Sequence, residues 1–169
     1  MTLGRGRSVG AATVHAACRP DTKSPEDEYF MAVALSLARY GEPAPNPAVG
    51  ALVVRFGKIV GAGYHARAGE AHAEVAALRD AGSLAAGATL YVTLEPCNHF
   101  GRTAPCVEAV ERARVRRVVV GCADPNPFVR GGGANRLREL GFEVAVGVCA
   151  KEAAALLAPW LRSLRAHGS

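Results

Sequence analysis

The 169-residue sequence predicts an α/β protein: a three-layer α/β/α domain on a mixed five-stranded sheet. Three observations carry that expectation. Two apolar runs between positions 49 and 64 flank a glycine turn, which reads as a β-hairpin. Further apolar runs then alternate with helical segments, the pattern of strand–helix units. One of those runs, "RRVVVGCADPNP", is nearly continuous in apolar residues and so needs cover on both faces. The predicted order is α-β-β-α-β-α-β-α-β-α.

Each element has its own signal. In "SPEDEYFMAVALSLARYGEP", Ser24 can cap a helix and Pro25 suits its first position. The acids that follow favour the positive end of the dipole. Gly41 and Pro43 are the expected stop. The hairpin pairs Val49–Val54 with Ile59–Tyr64 across Phe56-Gly57-Lys58. "EAHAEVAALRDAG" returns to helical spacing, with Val75, Leu78 and either Ala81 or Ala71 on one face and Gly82 as its stop. "ATLYVTLEP" is a buried strand and "APCVEAVERARV" a short helix opened by Pro105. "ANRLRELG" is a helix, "FEVAVGV" a strand and "KEAAALLAPWLRSLRA" the last helix. The boundaries predict a flexible N-terminal tail at 1–24 and one folded domain at 25–166, with no internal repeat.

Composition narrows the class. Half the residues are hydrophobic and 21% are charged, as in ordinary globular proteins. The net charge of +5 is spread along the chain. It is compatible with a phosphorylated ligand, but there is no basic block of the kind that tracks a nucleic-acid strand. No run of 18 apolar residues is present, so no membrane span is expected. The apolar stretch near the N-terminus is broken by His15 and is too weak for a secretory leader. Five cysteines, an odd count, argue against a secreted disulfide framework and point to the cytoplasm.

The chemistry concentrates in "LYVTLEPCNHFGRTAPC" (Leu90–Cys106), where an apolar strand breaks into a segment with two cysteines, a histidine and an arginine. A disulfide, a metal site and a merely polar loop all fit that segment alone. "EAHAEV" adds His72 and Glu74 at the N-terminal end of a helix. A His-x-Glu pair by itself is most simply solvated polarity, since two residues apart is not one helical face. Beyond the helix end, however, both can reach one point. A neutral imidazole from His72 and thiolates from Cys97 and Cys106 leave one tetrahedral position open, as in catalytic rather than structural zinc sites. Glu74 is then available as a proton carrier. H-x-E, then Pro-Cys, then a further cysteine is the arrangement of zinc deaminases, whose glutamate does not bind metal. His99 is a competing ligand, being two residues from Cys97.

The spacing is unusual. Eight residues separate Cys97 from Cys106, where the common form has two. With "PNPAVGALVV", "GYHARAGEAHAEVAAL", "YVTLEPCNHFGRTAPCVEAV" and "DPNPFVRGGGANRLRELGFEV", the chain resembles the pyrimidine deaminase domain of riboflavin biosynthesis from about Asp27 to Trp160. That domain usually precedes a reductase domain in a bifunctional enzyme. The resemblance implies a cytidine-deaminase fold and a zinc ion on His72, Cys97 and Cys106, with Glu74 as the proton shuttle. It implies that the 2-amino group of 2,5-diamino-6-(5-phosphoribosylamino)pyrimidin-4-one is hydrolysed to a carbonyl. Asn46 and His65 match positions that hold the pyrimidine; His99, Arg102 and Thr103 match the segment that faces the ribose phosphate. A homodimer or larger assembly is expected, with any reductase activity on a separate chain. The rival expectations are a same-fold deaminase of another nucleobase, nucleoside or aminopyrimidine, and a non-catalytic zinc-bound module.

Other polar residues read more plainly. Cys122 and Cys149 end strands and are expected as packed thiols. Cys18, His15 and His167 lie near the termini and are expected to be idle. Arg112, Arg114, Arg116 and Arg117 read as a solvated helix end, with a phosphate patch as the alternative. Asp124 and Asn126 of "DPNP" read as turn chemistry, with a substrate-pocket role as the alternative.

Overall fold

The computed structural model describes residues 24–101, 104–126 and 132–167. The predicted tail at 1–24 therefore lies almost wholly outside the described residues. Ten elements follow the predicted order: α1 (Pro25–Ala38), β1 (Gly50–Arg55), β2 (Lys58–Tyr64), α2 (Ala73–Ala81), β3 (Thr89–Leu94), α3 (Cys106–Ala113), β4 (Arg117–Cys122), α4 (Gly133–Glu139), β5 (Glu143–Val146) and α5 (Ala150–His167). Among the described residues, no helix is long and apolar enough to cross a membrane.

The start of α1 is set by a capping box. The Ser24 hydroxyl accepts the Asp27 N–H at 3.1 Å, and the Asp27 carboxylate accepts the Ser24 N–H at 3.2 Å. The helix stops before Gly41, however: the N–H groups of Arg39 and Tyr40 close onto the Ser36 and Leu37 carbonyls. The hairpin turn is two residues, not three. Phe56 and Gly57 both have positive φ, 51° and 71°, which matches the twist of the paired strands.

The sheet runs β2-β1-β3-β4-β5. β1 is antiparallel to both β2 and β3, while β3, β4 and β5 are parallel, so the sheet is mixed as predicted. Leu52, Val54, Tyr91 and Val119 pack against Phe30, Met31 and Leu35 of α1 and Ala153 of α5. Their neighbours Ala51, Val53, Leu90, Val92, Val118 and Val120 pack on the opposite face, with α2, α3 and α4. Successive residues alternate faces, so β1, β3 and β4 are buried on both sides and read as continuous apolar runs.

α2 departs from its prediction. It begins at Ala73, with His72 as an extended N-cap, so Ala71 lies outside it. Its buried set is Ala73, Glu74, Ala77, Leu78 and Ala81, and Val75 is only half-buried. Two glycines of β2 decide this. A Cβ on Gly63 would lie 2.7 Å from the Ala73 carbonyl oxygen, and one on Gly61 2.6 Å from the Ala81 nitrogen. With no side chains there, the alanine face of α2 lies directly on the strand, and Glu74 is carried inward with it.

Arg117 is also not where the sequence suggested. It opens β4 and forms a bidentate bond to Asp27, with Nη1 and Nη2 donating at 2.6 and 3.0 Å. Its Nε lies 2.9 Å from a Glu143 carboxylate oxygen, an ion pair. The Tyr91 hydroxyl donates to the same Asp27 at 3.0 Å. This network ties α1 to β3, β4 and β5 and is no solvated helix end. Its neighbours Arg112, Arg114 and Arg116 are exposed.

Candidate active site

The site forms where α2 and α3 begin beside the C-terminal end of β3, the usual place for a ligand crevice in an open parallel sheet. His72 precedes α2, so its side chain is free of the helix and extends past its end. β3 ends at Leu94, and Glu95 and Pro96 lead to Cys97. Pro105 stands immediately before α3 and Cys106 is its first residue. A helix start leaves N–H groups without intrahelical partners, and here they turn to Cys97. The Cys106 N–H donates to the Cys97 sulfur at 3.2 Å, and the Val107 N–H to the Cys97 carbonyl at 3.3 Å.

These constraints bring His72, Cys97 and Cys106 together, with donor atoms all within 4.8 Å of one another. His72 Nδ1 is 3.1 Å from Cys106 Sγ and 3.7 Å from Cys97 Sγ. Tetrahedral zinc with bonds of about 2.0 Å to nitrogen and 2.3 Å to sulfur requires N···S separations of about 3.5 Å. The donor set therefore fits such an ion. Both cysteines are free thiols, which removes the disulfide reading of the segment. Among the described residues, His99 is not part of this donor group; it is exposed at the pocket rim.

The electrostatics separate the groups. Glu74 is 4% exposed, and burial pushes its carboxyl up to about 7 against the pull of its own backbone N–H. The hydrogen bond from Cys106 holds Cys97 low, at about 4, with burial opposing and His72 assisting. The Cys106 thiol is correspondingly held up, by Cys97, by burial and by Glu74. The hydrogen bond with Cys97 raises His72, against its own burial. A carboxyl balanced near neutrality beside a thiolate is the state expected of a proton carrier.

A cleft of about 430 Å³ opens over this group, large enough for a small heterocyclic ligand. Asn46 and His65 line it. His65 is 3% exposed, and its Nδ1 lies 3.1 Å from the Ala71 carbonyl, which can only accept, so that nitrogen carries the proton. The Asn46 amide lies 3.0 Å from its Nε2 with the NH₂ group turned to it, so Nε2 accepts. The pair orients the Asn46 carbonyl away from His65. Asp124 and Asn126 also line the cleft, and the Asn126 N–H donates to Asp124 Oδ1 at 2.9 Å. They are therefore a turn and a pocket wall at once. Arg102 and Thr103 lie outside the described residues.

Sequence reasoning passed over two contributors. Trp160 of α5, the only tryptophan in the chain, lines the cleft together with Leu164. Its uniqueness in an Ala- and Leu-rich helix was the available signal. Glu95 lines it too, and its place in "LEPC" beside a ligand cysteine was the signal there. Cys122 and Cys149 do behave as packed thiols, half-buried against the core and bonded to the Ala123 and Glu28 carbonyls.

Comparison with known proteins points the same way. A family model for the cytidine and deoxycytidylate deaminase zinc-binding region matches residues 24–122. The riboflavin biosynthesis protein RibD of Aquifex aeolicus is 60% identical over 129 residues, covering 75% of this chain and 36% of that protein. The diaminohydroxyphosphoribosylamino-pyrimidine deaminase of Buchnera aphidicola subsp. Schizaphis graminum is 46% identical over 129 residues, covering 75% of this chain and 88% of that one. A solved RibD structure from Acinetobacter baumannii superposes with a TM-score of 0.78 at 49% identity, covering 82% of this chain and 40% of that one. The chain thus spans about two fifths or less of the length of the RibD proteins it matches. It belongs to the cytidine and deoxycytidylate deaminase family, among the riboflavin-biosynthesis deaminase domains.

Proposed function

We propose that the chain hydrolyses the ring 2-amino group of 2,5-diamino-6-(5-phosphoribosylamino)pyrimidin-4-one, giving 5-amino-6-(5-phosphoribosylamino)uracil and ammonia. The observation that carries this reading is Glu74, a buried carboxyl held near neutrality beside the His72, Cys97 and Cys106 donors. A binding module would need the donors but not the acid. The identity to named pyrimidine deaminases supports the choice of substrate.

His72 Nδ1, Cys97 Sγ and Cys106 Sγ would hold a zinc ion, with Cys97 already the readier thiolate. When bound, zinc supplies acidification of a water, to a pKa of about 7 from about 15.7 in bulk. Glu74 takes a proton from the attacking water and passes it to the ring nitrogen next to the reacting carbon. It then takes the remaining proton from the hydroxyl added to the ring carbon and gives it to the departing amine; the carbonyl forms as the C–N bond breaks, so one water is consumed and one ammonia leaves. The Asn46 carbonyl, aimed by His65, accepts from an N–H on the ring edge. His99 stands at the cleft rim and is assigned to the phosphoribosyl end of the substrate. Arg102 and Thr103 are assigned to the phosphate on the family resemblance alone, since an arginine fork suits a dianion.

The test is ammonia release from the phosphoribosylated diaminopyrimidine, its dephosphorylated form, guanine, cytidine and adenosine. Turnover of the first compound with a higher kcat/KM than any other is expected. Turnover of a free base or nucleoside, with none of the phosphorylated compound, would overturn the substrate assignment.

A further inference from the structure

Glu95 is a carboxylate in the cleft that the reaction as written does not use. It follows β3 directly and stands two residues before Cys97. Both of its oxygens are engaged. Oε2 accepts the Asp124 N–H at 3.0 Å, and Oε1 accepts the Ala134 N–H at 2.9 Å. Its own N–H donates to the Cys122 carbonyl at 2.9 Å. One side chain thus joins the end of β3 to the chain leaving β4 and to the first turn of α4. Gly133 permits the approach, because a Cβ there would collide with the Pro96 carbonyl oxygen. Asp124 in turn holds the Asn126 N–H, and both residues line the cleft.

We propose that Glu95 is a positioning residue for substrate affinity: by holding the Asp124 and Ala134 N–H groups, it fixes Asp124 and Asn126 in the cleft wall. The inference rests on the deaminase reading for its substrate but not for its geometry. The partners of the two carboxylates separate their roles. Glu74 is buried against the thiols and near neutrality. Glu95 is occupied by two backbone donors, and such charge-assisted bonds are about twice as strong as neutral ones. A proton carrier must be free to change its partners; a tie must not. The wall that Glu95 holds is one-sided: Asn46 and His65 reach the cleft from before β1 and after β2, and among the described residues their side chains bond to each other and to the Ala71 carbonyl.

The experiment compares wild type with Glu95→Gln, which keeps the shape but replaces one acceptor oxygen by an NH₂ group that cannot accept. Amide hydrogen exchange is read at Asp124 and Ala134. KM and kcat are read by ammonia release from the phosphoribosylated diaminopyrimidine. Loss of one charge-assisted bond predicts exchange faster by about tenfold or more at one of the two amides. KM should rise about tenfold, with kcat changed less than about threefold. Unchanged exchange overturns the proposal. So does a lower Tm with KM intact, which would make Glu95 merely structural, or a fall in kcat with KM intact, which would make it a proton carrier. If Glu95→Gln does not fold, Asp124→Ala and Asn126→Ala take its place, and an unchanged KM in both overturns the proposal. A wild type that releases no ammonia from this compound counts against the deaminase reading instead, and the exchange measurement then decides the role of Glu95.

Discussion

Replacing Arg117 by methionine asks whether the cation that opens β4 holds the domain together or serves a ligand. Asp27 is 1% exposed and accepts from Arg117 through both oxygens, at 2.6 and 3.0 Å. The Tyr91 hydroxyl and the Ser24 N–H complete its partners. Burial alone would push this carboxyl up. The Arg117 bond, with those from Ser24 and Tyr91, outweighs burial and holds it below its ordinary 3.8. Methionine keeps much of the apolar stem but leaves a buried carboxylate without its cation. Breaking a buried pair in this way costs about 3–5 kcal/mol. In a domain of this size, that lowers Tm by roughly 6–20 °C. The pH dependence has a definite sign. In wild type the folded pKa is depressed, so the Asp27 contribution is present above the unfolded value of 3.8 and fades as pH falls through the folded value. In the variant, burial is opposed only by the Ser24 and Tyr91 bonds, and the carboxyl rises. Its deficit is then largest near neutral pH and narrows as pH falls through the raised value. Thermal unfolding between about pH 7 and pH 4 measures this. Steady-state kinetics should be unchanged, because Arg117 opens β4 whereas the cleft lies at the strand's other end, beyond Cys122. A pH-independent deficit, or a raised KM with Tm intact, would refute the reasoning and return Arg117 to a phosphate-binding role.

Three further outcomes are expected. Glu74→Gln should retain its metal, because Glu74 is outside the donor group, while kcat falls by about 10²–10⁴; a near-normal rate removes Glu74 from the proton transfers. Cys106→Ala takes away one of three donors and should reduce bound zinc from about one equivalent to a small fraction by elemental analysis. Full retention would bring His99 into the ligand set. Trp160→Ala removes an apolar wall of the cleft and should raise KM by about tenfold with kcat little changed; an unchanged KM would mean that the ring faces away from bound substrate.

Much of the fold is readable from local chemistry. Ser24 and Pro25 begin α1 because the side-chain oxygen and the fixed φ act within one turn. The two-sided burial of β4 follows from its apolar run. Reading failed where distant backbone decides the outcome. The buried face of α2 depends on Gly61 and Gly63 in another element, which no helical periodicity can report. Arg117 sits in a basic cluster yet is paired with Asp27, distant in sequence and adjacent in space.

The same division runs through the site. The sequence alone determined the candidate donors and the acid, because His-x-Glu and two cysteines are residue types with few other uses in combination, and side-chain chemistry travels with the residue. The eight-residue interval between Cys97 and Cys106 was also visible there. Tertiary structure alone decided which oxygen or nitrogen is free to act. Burial of Glu74 brings its carboxyl near neutrality, backbone donors occupy Glu95, and a carbonyl at Ala71 sets the His65 proton and with it the Asn46 amide. Desolvation and hydrogen-bond saturation are properties of the space around a group, and that space is built from residues far along the chain.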